Sequence, residues 1–134
     1  EFRRVLFRSE MKTKPGTENI DSLYDFWRKS ITENVKKELQ SHDQKTLINL
    51  ASKEYAKAVD FKALEAKIIT PGFKEYRNGK YKTIGIYAKK ARGLMARFIL
   101  QNDIEEPEHI KAFDLDRYHL NESLSNEKNW IFTR

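Results

Sequence analysis

The chain has 134 residues, 39% of them apolar and 34% charged, with a formal net charge of +6, a composition that fits one small folded domain and is neither that of a disordered chain nor membrane-like. It has no cysteine, which excludes a disulfide framework, a thiolate metal site and a cysteine nucleophile and suits a reducing cytoplasm without proving one. No apolar run approaches the length of a bilayer span, so no membrane partner is expected.

In chain order, residues 1–9 (EFRRVLFRS) read as an artefact rather than as protein, because Leu6-Phe7-Arg8-Ser9 matches one reading frame of a common sequencing-adaptor end. Arg3, Arg4 and Arg8 against Glu1 give that leader +2, which leaves +4 on residues 10–134. Pro15-Gly16 marks a loop. Ile20, Leu23, Tyr24, Trp27, Ile31, Val35 and Leu39 then keep helical spacing, with Thr17 or Asn19 as cap. Thr46 to Leu50 reads as a short buried strand. Ser52 caps a short helix running to about Val59.

Lys67 to Arg77 reads as a strand interrupted by Pro71-Gly72, and Asn78-Gly79 is a hairpin signal, since a type I′ turn needs positive φ twice. That loop pairs Arg77 with Lys80, Tyr76 with Tyr81 and Glu75 with Lys82, and sets Gly72 opposite Gly85. Tyr81 to Ala88 alternates like a strand. From Lys89 the period becomes helical: Ala91, Leu94, Met95, Phe98 and Ile99 form one apolar stripe. Lys89, Gly93 and Arg97 stack on the opposite face, with Lys90 and Arg92 beside them. Glycine inside a helix costs about 1 kcal/mol relative to alanine, so either packed backbone or an anion is expected to approach at Gly93. Pro107 to Phe113 reads as a short helix, and Tyr118 to Leu124 and Trp130 to Thr133 as short strands. The fold class is mixed α/β: a small sheet containing a β-hairpin, flanked by amphipathic helices. The central stretch looks more apolar than its few partners here can cover, and part of a larger single-domain fold is expected.

The readings of function diverge. For nucleic acid, Lys89, Lys90, Arg92 and Arg97 offer phosphate contacts, while Tyr76, Tyr81 and Tyr87 offer faces for bases. A solvated helix face and packed tyrosines account for the same residues equally well. For an enzyme, there is no Walker loop, ordered Ser/His/Asp set or paired-carboxylate spacing. The alternative is an enzyme acting on a phosphate-bearing or other anionic substrate, with Lys89 or Lys90 beside Tyr87 and with Asn49, Ser52, Glu54 and Tyr55 at a strand-to-helix junction. His42, His109 and His119 lack the spacing of metal ligands, and neither a metal site nor a cofactor is expected.

Four stretches together resemble the YaaA family, the bacterial peroxide-stress proteins: LINLASKEY (Leu47–Tyr55), KIITPGFKEYRNGKYK (Lys67–Lys82), YAKKARGLMARFI (Tyr87–Ile99) and the closing AFDLDRYHLNESLS…WIFTR. The resemblance covers nearly everything after Ser9 and corresponds to the C-terminal half of a family member. The missing N-terminal half is then an expected partner within the same domain. Lys12, Pro15, Gly72 and Arg117 depart from the family pattern; Arg117 stands where glycine is usual. The resemblance implies a cytoplasmic protein of the hydroperoxide response, linked to limiting free iron and DNA damage. It also implies a mixed α/β fold with a positively charged cleft that binds DNA.

Overall fold

A computed structural model describes residues 20–43 and 45–134, with side chains from Trp27 onward except that of Glu54. The leader, the Pro15-Gly16 loop, the caps Thr17 and Asn19, and the side chains of Ile20, Leu23 and Tyr24 lie outside the described residues.

Helix α1 (Ile20–Ser41) forms as its spacing predicts. It turns Ile31, Val35 and Leu39 toward the core, and buried Thr32 accepts the Asp60 N–H at 2.9 Å through its hydroxyl. Strand β1 (Thr46–Ile48) buries Leu47 and Ile48 completely. The Ser52 hydroxyl then accepts the Tyr55 N–H at 3.3 Å, so this residue is the expected cap of α2 (Lys53–Ala56). That helix stops at Ala56, short of Val59, because Ala58 and Val59 turn inward to the core.

Strand β2 (Lys67–Arg77) is the centre of the sheet and runs unbroken through Pro71-Gly72, contrary to expectation. The bonding pattern explains why. Odd-numbered N–H groups face one edge, where Lys67 bonds Lys45 of the segment leading into β1, and even-numbered ones face the other, where Thr70 and Tyr76 bond Lys128 and Arg134. Parallel β1 pairs with positions 67–69, and β3 (Lys80–Lys82) pairs antiparallel with 75–77 on the same edge. Pro71 lies in the gap between them, where a missing N–H costs nothing. Parallel β5 (Asn129–Thr133) covers the other edge at positions 70–74, and β4 (His119–Leu120) pairs antiparallel with β5. Gly72 therefore lies opposite Ile131, not Gly85; a Cβ there would stand 2.8 Å from the Ile131 Cδ1.

The hairpin has the expected register, and Asn78 (φ 52°) and Gly79 (φ 78°) supply the two left-handed residues. The strand after it is shorter than the alternation predicts: β3 ends at Lys82 and is wholly exposed. Helix α3 (Gly85–Gln101) begins four residues early, with the Ala88 N–H on the Ile84 carbonyl at 2.9 Å. Ile84, Ala88, Ala91 and Met95 already hold i, i+4, i+7, i+11 spacing, and burial of that row outweighs the local alternation. The expected stripe packs inward: Ala91, Met95 and Ile99 are buried, and Leu94 and Phe98 lie against them.

Pro107–Ala112 is a 3₁₀ helix, and Tyr118 to Leu124 is only a two-residue strand followed by a 3₁₀ turn. The Asn121 side chain holds that turn by accepting the Leu124 N–H at 3.3 Å. Between sheet and α3 lies an aromatic cluster: Phe73 stacks on Phe132 at 5.6 Å and meets Phe113 and Tyr118 edge-on. Among the described residues, no helix is long and apolar enough to cross a membrane.

Candidate nucleic-acid interface

Along β2 the inward positions are Ile69, Pro71, Phe73 and Glu75, so a carboxylate occupies the last core-facing place of the central strand. Glu75 is only 6% exposed. A carboxylate buried there needs partners, and it has two. The Tyr118 hydroxyl donates to Oε2 at 2.6 Å, and the Arg134 Nε donates to Oε1. Arg134 Nη1 also reaches the Asp116 carboxylate at 2.7 Å and its carbonyl at 3.1 Å. The guanidinium lies over the ring of Tyr118 at 4.5 Å and near that of Tyr87 at 5.3 Å. Burial, reinforced by the bond to Glu75, pushes the Tyr118 hydroxyl well above its ordinary pKa. The bond to Glu75 likewise raises the Arg134 guanidinium. The expected Glu75–Lys82 attraction is replaced: the two residues are in register, but the carboxylate faces the core while β3 is exposed.

This network forms the floor of a cleft of about 680 Å³ lined by Glu75, Tyr76, Arg77, Ile86, Tyr87, Lys90, Asp116, Arg117 and Arg134. Four cations face two carboxylates, and Arg134 neutralises much of both. Among the described residues, Arg77, Lys90 and Arg117 form no ion pair; Arg77 lies 5.9 Å from the Tyr87 ring. The first turn of α3 opens into the same cleft through Ile86 and Tyr87, with no side-chain cap and no acidic residue. An anion is favoured at that positive helix end. Asp116 (φ 55°) and Arg117 (φ 67°) are both left-handed, a costly backbone for side chains that carry a Cβ.

The sequence-predicted residues divide into three groups. Lys90, Tyr87 and Tyr76 line the cleft, and Tyr81 supports it by packing edge-on against Tyr76 at 5.1 Å. Lys89, Gly93 and Arg97 lie on the open outer face of α3, and nothing lies within 4 Å of a Cβ placed on Gly93, so no described backbone packs there. Arg92 is half-buried, which lowers its pKa. Asn49, Ser52 and Tyr55 serve the other end of β2: the Asn49 side chain accepts the Ala51 N–H at 3.1 Å and reaches Thr70 at 3.5 Å, and Ser52 is a cap. None of these three lines the cleft. Glu75, Arg77, Asp116, Arg117, Tyr118 and Arg134 belong to the site without being among the sequence-predicted residues. Only Glu75 carried a signal, a charge at the inward register of an apolar strand.

Comparison with known proteins settles the family. The model for "Peroxide stress protein YaaA" matches residues 5–124. The chain belongs to the YaaA peroxide stress family. A UPF0246 protein of Colwellia psychrerythraea is 52% identical over 128 residues, covering 96% of this chain and 50% of that protein. UPF0246 proteins of Clostridium beijerinckii and Psychrobacter cryohalolentis are 47% and 48% identical, with 96% of the chain and 50% and 48% of those proteins covered. The chain thus spans about half the length of the curated relatives it matches. Arg117 adds a cation to the cleft at the cost of a strained backbone.

Proposed function

We propose that this YaaA-family chain serves the peroxide-stress response by binding DNA through the cleft at the N-terminal end of α3, so limiting iron-dependent damage to the DNA it occupies. One observation carries the reading. Arg77, Lys90 and Arg117, from three separate elements, converge on an uncapped helix end without ion-pair partners among the described residues. Cations arranged this way suit phosphate oxygens, and such contacts fix position without reading sequence. Lys90 comes from the basic run expected to carry the contacts; Lys89 and Arg97 face elsewhere.

The test compares two pairs of substitutions. Lys90→Ala with Arg117→Ala should weaken binding to a labelled DNA duplex and flatten its salt dependence by about one unit for each cation removed from a phosphate. Lys89→Ala with Arg97→Ala should leave both nearly unchanged. The opposite result would move the interface to the outer face of α3, and no binding by the parent chain would refute the reading.

A further inference from the structure

The cleft carries more apolar surface than phosphate contacts need. Seven large hydrophobic side chains are markedly exposed among the described residues, and Ile86, Tyr76 and Tyr87, at 75%, 58% and 37% exposure, all line this one cleft. A fourth, Tyr81, buttresses Tyr76. The tyrosines are also held in place. Tyr76 sits beside a tight two-residue turn, and Tyr87 occupies the first turn of a helix with Arg134 over its ring.

Resting on the nucleic-acid reading above, we infer that the cleft takes an unpaired nucleotide of a strand, its base against Tyr76 and Tyr87 and its phosphate on Lys90 and Arg117. In a duplex the base faces are stacked on one another, so exposed aromatic rings gain little from it. An unpaired base presents a face to any ring, whatever its identity. A volume of about 680 Å³ lies in the range of sites that enclose one small ligand, not a double helix. The carboxylates of Glu75 and Asp116 are already paired to Arg134, which leaves Lys90 and Arg117 as the cations that take the phosphate.

The experiment measures fluorescence anisotropy of the full chain with a labelled oligothymidylate of about 12 nucleotides, a blunt duplex of equal length, and that duplex with one unpaired thymidine. The strand and the bulged duplex should bind at least about tenfold more tightly than the blunt duplex. Tyr76→Ala and Tyr87→Ala should each weaken strand binding between about 5- and 150-fold, weaken it more than blunt-duplex binding, and be rescued by phenylalanine. Because Tyr76 is mostly exposed, its substitution tests stacking without disturbing the core. Equal binding of strand and blunt duplex, with neutral tyrosine variants, overturns the inference while the basic-cleft reading stands. Competition by thymidine monophosphate as effective as the strand, or by poly-glutamate, overturns it in favour of a free nucleotide or an acidic peptide. Absence of all nucleic-acid binding removes both readings.

Discussion

Arg117 can be replaced by alanine, which keeps a Cβ on a left-handed backbone but drops the charge, or by glycine, which drops both. Its φ of 67° lies in the region where an L side chain costs roughly 1–2 kcal/mol. Glycine relieves that cost but gives back roughly 0.4–1 kcal/mol through the greater freedom of the unfolded chain. The glycine variant should therefore be more stable than the alanine variant by about 1 kcal/mol, or roughly 4 °C in Tm for a chain of this size. Both variants lose the same rim cation, so they should lose DNA affinity equally. Circular-dichroism melts and urea titrations measure the first quantity, and anisotropy with labelled DNA the second. A glycine variant no more stable than the alanine variant would refute the strain assigned to this turn.

Three further outcomes follow from the same geometry. Gly93→Ala should raise stability by about 1 kcal/mol in urea unfolding, because its methyl meets no atom within 4 Å and alanine is the better helix former; a loss would mean that something packs on that face. Glu75→Ala should cost about 3 kcal/mol, since it strands the buried Tyr118 hydroxyl and leaves Arg134 with Asp116 alone; a cost below about 1 kcal/mol would contradict the buried network. The Tyr118 hydroxyl titrates higher folded than unfolded, so its contribution is whole below about pH 10 and is lost as pH climbs toward the folded value. Tyr118→Phe should flatten the alkaline fall in stability, and parallel pH profiles for the two proteins would refute that linkage.

Local signals in the chain proved legible where one local rule governed. The hairpin register and its two left-handed turn residues follow from Asn78-Gly79, the Ser52 cap from its place before α2, and the buried row of α3 from its spacing. Local rules fail where tertiary contacts override them. Pro71 looks like a strand breaker until the gap between β1 and β3 is known. Residues 85–88 alternate like a strand, yet Ile84 and Ala88 belong to the helical row that buries. The floor of the cleft was the least legible part, because Glu75 finds Tyr118 and Arg134 at separations of 43 and 59 residues, beyond any periodicity. Of the basic run, spacing identified the cations but not their aim: Lys90 faces the cleft while Lys89 and Arg97 do not line it.

The most direct test of the proposed cleft is the dependence of DNA affinity on salt for the unsubstituted chain. Three phosphate contacts, from Arg77, Lys90 and Arg117, predict a slope of about −3 for log K against log salt with a duplex, and about −2 with a single strand. A slope near zero for both would contradict the assignment of this cleft to nucleic-acid phosphates.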